Sequence, residues 1–435
     1  MIEQVGLKTF DINHAIDVME SEETEEVFHI QVPKRRLIYL PLESYEERYT
    51  SQLCKWNTDR FEQRGIEFIL VHGRDLREDD QINVGQVLDA HGRSYYSLHQ
   101  MAKLVSLLHD GEFTNNDVIF SEDMFQPGYA ALPYILAQIP PEQRPKVFTR
   151  CLAQSIDPDD FVHPMRNWMR QFEMLVDKTV DGILMANTEM GPHMRIAMFE
   201  APLYVTGLPF DKHEVRSRVP NRKPLNERKR RVVFSSRWDK EKQPWFYMDL
   251  IEKCHNEMEN PPEFVITTGA KTLRSTNQEY IDRARELENK GMLSIMEGLS
   301  KTEYYEVLAD SQVQFNCARQ DWQSNTLNEA SALGTLSLCA AFRSFPEALN
   351  NNARHLFTPW SIQDAYDKLN LLLTDLNDED VSYAADQMHM TIDKTIDILM
   401  GENNYDCVER GYAFDLHSST SGWSSDHLRA DGRYE

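Results

Sequence analysis

Residues 319–334 read Arg319-Gln320-Asp321-Trp322-Gln323-Ser324-Asn325-Thr326-Leu327-Asn328-Glu329-Ala330-Ser331-Ala332-Leu333-Gly334. They follow a strand-like segment, residues 313–317, and the spacing of Leu327, Ala330 and Leu333 predicts a helix that Gly334 ends. One acid, Asp321, precedes that helix, and a second, Glu329, lies eight positions later in its early turns. A loop running into a helix start offers unpaired backbone N–H groups and a partial positive charge, which suits a phosphate. Carboxylates on either side of that point can accept from hydroxyls. A ligand with sugar, diphosphate and ribose in series fits the spacing, although the same spacing also describes a solvated loop and a helix with an acid in its first turn.

Working outward, the second half of the chain alternates strand and helix. Strands are predicted at 232–234, 264–266, 293–295, 313–317 and 336–338, with helices at 245–258, 280–289 and 301–309, and the stretch 364–399 is helical. The first half repeats the pattern, with strands at 37–40, 66–71, 117–120, 146–149, 183–186 and 203–205 and helices at 45–64, 95–108, 129–138, 161–176 and 190–198. Strand, helix, strand in this order implies a parallel sheet covered on both faces. The expected fold class is therefore α/β, two doubly wound Rossmann-like domains facing a central cleft, with ligands beyond the carboxyl ends of the strands. The boundaries read as a first domain at 1–208, a linker at 209–231, a second domain at 232–400 and a polar tail at 401–435. Residues 212–231 hold nine Lys and Arg side chains, Arg228, Lys229, Arg230 and Arg231 among them, against Glu214 and Glu227.

Bulk properties narrow the function. A chain of 435 residues is too long for one ordinary core, which agrees with two domains. A formal net charge of -24 argues against non-specific coating of nucleic acid, because phosphate neutralisation needs Lys and Arg, but it leaves room for a local basic face. The six cysteines lack Cys-x-x-Cys or Cys/His pairing, so neither a disulfide framework nor a zinc site is signalled, and a reducing cytoplasm is expected. No apolar run approaches the roughly 20 residues of a membrane span. The start, Met1-Ile2-Glu3-Gln4, lacks the basic and apolar segments of a secretion signal.

The strand at 232–234 ends in Ser235-Ser236-Arg237-Trp238-Asp239-Lys240-Glu241-Lys242-Gln243-Pro244. Arg237 can fork onto two phosphate oxygens and Lys242 can act as a point charge, so both suit a diphosphate; surface pairing with Asp239 and Glu241 is the plainer reading. This loop resembles the Arg-x4-Lys loop of retaining GT-B glycosyltransferases of the glycogen synthase and sucrose synthase type. Residues 293–308, with Gly298 and Leu299, resemble their base-holding strand, loop and helix, and residues 321–329 resemble their Glu-x7-Glu motif with Asp321 where Glu is usual. Val205-Thr206-Gly207-Leu208-Pro209 is similar to the turn before their interdomain linker.

The resemblance implies a nucleotide-sugar co-substrate, UDP-linked, with no other cofactor and no metal, and transfer with retention. Arg237 and Lys242 would hold the donor diphosphate and Glu329 the ribose. Asp321 would meet a donor-sugar hydroxyl, and Thr326 and Leu327 would give backbone N–H groups to the phosphate. Asp157-Pro158-Asp159-Asp160 is then a helix cap near Phe161 rather than a metal motif.

In the first half, Glu122 or Asp123 is a candidate to orient or deprotonate an acceptor hydroxyl, and either could equally cap a helix; His91 is a further candidate. Residues 121–128 and 150–161 resemble glycosyltransferases of T-even-type bacteriophages that place glucose or arabinose on hydroxymethylcytosine in DNA. That resemblance implies 5-hydroxymethylcytosine in phage DNA as acceptor, host cytoplasm as setting, and a duplex meeting Arg228, Lys229, Arg230 and Arg231 as it lies across the cleft. The rivals are a carbohydrate or small-molecule acceptor, a nucleotide-sugar epimerase or hydrolase, and a non-catalytic nucleotide-sugar-binding protein.

Overall fold

A computed structural model describes residues 35–43, 49–76, 90–111, 113–160, 162–377, 381, 383–389 and 391–402. The acidic N-terminus, Phe161 and the tail beyond residue 402 lie outside them. The first sheet contains β1 (Leu37–Leu40), β2 (Phe68–Leu70), β3 (Val118–Ser121), β4 (Lys146–Arg150), β5 (Gly182–Met185) and β6 (Leu203–Val205), in the order β2-β1-β3-β4-β5-β6. The second contains β7 (Lys229–Phe234), β8 (Glu263–Thr267), β9 (Ser294–Met296), β10 (Ser311–Asn316), β11 (Leu336–Ala340) and β12 (Leu356–Phe357), in the order β12-β11-β10-β7-β8-β9. Every pairing is parallel.

Central strands such as β3 and the last four residues of β7 are buried throughout, as expected of strands with helices on both faces. Phe246, Phe315 and Phe357 stack with centroids 5.4 to 6.3 Å apart in the second core. Strand order reverses between β1 and β3 in one sheet and between β7 and β10 in the other, and such switch points leave a crevice at the strand carboxyl ends. Residues 41–43 and 122–125 leave the first switch point. Residues 235–242 and 317–325 leave the second.

Two expected boundaries change. The segment 209–231 is not a bare linker: it holds a helix, Lys212–Ser217, opened by the Asp211 carboxylate accepting from the N–H groups of His213 and Glu214, and β7 begins at Lys229. The region 364–399 forms three helices, Ile362–Thr374, Tyr383–His389 and Thr391–Met400. The last of these packs on the first half, where Arg60 and Arg64 pair with Asp393 at 2.7 and 3.0 Å. The strand Leu356–Phe357 is too short for periodicity to reveal.

The basic stretch is also corrected. Arg228 is buried and donates to the Leu333 carbonyl and the Thr335 hydroxyl, each at 3.0 Å, while Arg231 pairs with Glu263 at 2.9 Å. Arg230 donates to the Leu373 carbonyl at 2.8 Å, and Lys229 lies 3.5 Å from Asp310. These residues precede or begin β7, whereas the cleft opens at its other end, about 17 Å from Lys229 and about 10 Å from Arg231 at 3.3 Å per residue. They hold the second half together and do not face a duplex in the cleft.

Candidate functional site

The carboxyl ends of both sheets line one cleft of about 1420 Å³. Ordinary small-molecule pockets run roughly 300 to 1,000 Å³, so this one has room for two co-substrates.

On the second-half side, the β7 loop is anchored by Trp238, which is buried and donates its indole N–H to the Tyr280 carbonyl at 2.9 Å. That anchor presents Arg237, about half exposed and paired with Glu241 at 2.6 Å, to the cleft. Gln243 then takes a left-handed turn (φ 57°) and Pro244 opens the next helix, where its missing N–H is harmless. The turn buries Lys242 so that its ammonium donates to the Gln320 carbonyl at 2.5 Å and sits 3.5 Å from Asp321. Sequence-distant groups thus meet: Arg237, Lys242 and Asp321 all line the cleft.

The helix of the opening stretch spans Asn325–Leu333 and ends at Gly334 in the left-handed conformation (φ 76°). Ser324 caps it, its hydroxyl accepting from the Leu327 N–H at 3.3 Å. Leu327 is therefore a correction: its N–H is committed, its side chain is fully buried, and the helix start faces the cleft through Asn325 and Thr326 instead. Glu329 is nearly buried and accepts from Lys301 at 2.5 Å, Tyr304 at 3.0 Å and Tyr305 at 3.1 Å. Burial and the Glu329 charge push both phenols above their ordinary range, so they stay protonated and donate. A carboxylate has about four acceptor sites, which leaves one for a ligand hydroxyl.

Gly298 (φ 67°) and Leu299 line the same end, but their N–H groups donate to Ala270 and Thr268 carbonyls at 2.8 and 3.2 Å. They form wall and carbonyl edges next to the β8 loop, which includes Gly269 and Leu273 and which the motif reading missed.

On the first-half side the two candidate acids separate. Glu122 is fully buried away from the cleft, accepting from Tyr39 (2.9 Å), Asn57 (2.8 Å) and Arg150 (2.8 Å), while Arg150 also donates to Thr206, Gly207 and Thr395. Its expected role on the acceptor is withdrawn: its β-strand neighbours turn it inward, where it knits the core. Asp123 does line the cleft and is held by Arg93, and by the Phe125 N–H at 3.1 Å. Burial pushes its pKa above the usual carboxylate range, against the opposing Arg93 charge. His91 is exposed on the Ala90–His109 helix and is not part of the wall.

The acid run precedes a short turn, His163–Met165, and the helix Arg166–Asp177, while Phe161 lies outside the described residues. Asp157 pairs with Arg343 and Asp159 with Arg319, each at 2.9 Å, across the two halves. Asp160 accepts from the Gln154 and Val162 N–H groups and from the Gln320 amide at 3.2 Å, and burial pushes it up to about 7. Among the described residues no cluster of three or more His, Cys, Asp or Glu side chains could hold a metal ion, and no helix is long and apolar enough to cross a membrane. Sequence reasoning missed Lys301, Tyr304, Tyr305, Glu43 and Arg93; the tyrosines stood inside a quoted motif but were read only as helix.

No family model matches the sequence, and no curated protein matches it significantly. Solved structures do match in fold. A sucrose-phosphate synthase from Thermosynechococcus elongatus superposes with a TM-score of 0.58 at 10% identity, over 85% of this chain and 98% of that one. The HepE protein of Anabaena in complex with UDP gives 0.55 at 12%, over 85% and 100%. An alpha-glucosyltransferase in complex with UDP and a 13-mer DNA containing a central A:G mismatch gives 0.50 at 14%, over 84% and 99%. At these identities the likeness establishes the architecture: two parallel six-stranded sheets in the two-domain GT-B arrangement.

Proposed function

We propose that this chain is a glycosyltransferase that moves a sugar from a UDP-linked donor to a hydroxyl, with retention and without a metal ion, and that its acceptor is 5-hydroxymethylcytosine in DNA. The observation that carries the reading is the convergence of Arg237 and Lys242 with the start of the Asn325–Leu333 helix and with Glu329 in one cleft. Two cations and a helix terminus worth about half a charge can balance a leaving diphosphate. Removing one such preorganised donor of charge typically costs about 100- to 1000-fold in rate. Glu329 holds the ribose. Asp321, tied to Lys242, serves to orient a sugar hydroxyl.

Support for the acceptor comes from the phage-type segments at 121–128 and 150–161 and from the DNA-bound neighbour of like fold. Asp123 is the acceptor-side group. A carbohydrate acceptor is the second reading, favoured by the basic stretch facing away from the cleft.

The test is a panel of UDP-, GDP- and ADP-sugars with hydroxymethylcytosine DNA, plain DNA or oligosaccharides, followed by digestion and mass measurement. A hexose or pentose on the modified base is expected. UDP binding with transfer to sugar alone would replace the acceptor, and donor turnover without any acceptor would indicate an epimerase or hydrolase.

A further inference from the structure

Glu43 sits just beyond β1, at the switch point it shares with Asp123. It lines the cleft with its side chain 7% exposed. Its Oε1 lies 3.5 Å from an Arg93 nitrogen, the long end of a guanidinium whose closer partners are Asp123 and the Phe125 carbonyl at 3.1 Å. Its Oε2 is buried with no hydrogen-bond partner among the described residues. Two carboxylates thus share one cation. A buried carboxylate oxygen lacking a donor is unfavourable, so the site favours a ligand that brings an N–H or O–H to it.

We propose that Glu43 is a specificity-determining residue that accepts a hydrogen bond from the exocyclic amine of the acceptor base, while neighbouring Asp123 faces the reacting hydroxyl. This rests on the acceptor assigned above. In hydroxymethylcytosine the N4 amine and the C5 hydroxymethyl are adjacent on one edge, and a carboxylate is the usual partner of that amine. Hydroxymethyluracil puts the O4 acceptor in the same place, so two oxygens would oppose each other. A base must leave the stack to reach the cleft, and Trp56 and Phe125 line the same cavity as apolar surfaces for it. The Trp56 indole N–H is likewise buried and without a described partner.

The test compares kcat/KM on duplexes carrying hydroxymethylcytosine or hydroxymethyluracil, for wild type and Glu43→Gln, with UDP affinity measured on both proteins as the check on folding. Wild type is expected to favour the cytosine base by roughly 10- to 100-fold, the range of one good base contact. Glu43→Gln, whose amide can donate to O4, should bring the ratio to about one or invert it. A wild-type ratio near one overturns the inference and leaves the proposed function standing, and it does so even if the variant fails to fold. An unchanged ratio in a variant that still binds UDP also overturns it. Transfer to neither base overturns the proposed acceptor and this inference together.

Discussion

Glu122 and Asp123 are adjacent in sequence and opposite in role, because consecutive side chains leaving a strand point to different faces. Glu122 and Arg150 form a fully buried pair. Removing one partner of such a pair leaves a stranded charge and typically costs about 3 to 5 kcal/mol. Glu122→Gln should therefore lower the unfolding free energy from denaturant titration by that order while the folded protein keeps its UDP affinity; a stable variant with lost transfer would restore Glu122 to the chemistry. Asp160 gives a pH test. Its folded value of about 7 stands above the ordinary 3.8, so the folded state binds the extra proton between those values. Stability from this group is full below about pH 4 and is lost as pH rises through about 7, by at most about 4 kcal/mol at 1.36 per unit. Unfolding curves of Asp160→Asn should lack that decline; a decline identical to wild type would place it elsewhere. Neither residue's burial could be read from the chain, since alternation identifies faces of strands but not which face of a loop is covered.

At the level of elements, the Asn325–Leu333 helix was legible at its end and not at its beginning. Gly334 adopts the left-handed turn that glycine permits, as the sequence suggested. Its start depends on the Ser324 hydroxyl, which consumes the Leu327 N–H that the motif reading had assigned to phosphate. A serine in a motif position looks like a spacer until its rotamer is known. Ser324→Ala should cost about 1 kcal/mol of stability and expose the Leu327 N–H; the measured change in melting and in UDP affinity, one down and the other unchanged or up, separates the cap from a phosphate ligand. The central strands were recognisable from their apolar runs, whereas the Lys212–Ser217 helix was masked by a composition that resembles a linker.

Across the whole molecule, two parallel sheets and a cleft followed from the alternation, but the strand order and the partners that cross between halves did not. Arg319 reaches Asp159, Arg343 reaches Asp157, and the Thr391–Met400 helix returns to the first half, contacts well over a hundred residues apart that no local spacing encodes. The same holds for the basic stretch. Replacing Arg228 and Arg231 by Ala should destabilise the fold and leave the salt slope of DNA binding unchanged, because both are buried in intramolecular contacts; a slope reduced by about two would return them to a nucleic-acid surface. The central claim is that the cleft at the β7–β10 switch point holds a nucleoside diphosphate between Arg237, Lys242 and the helix start. Calorimetric titration of UDP into wild type, Arg237→Ala and Lys242→Ala tests it most directly. Saturable binding by wild type, weakened at least about tenfold in each variant, is the expected result, in line with charge-assisted contacts of about 1.5 to 3 kcal/mol; no binding by wild type, or equal affinity in all three proteins, would contradict it.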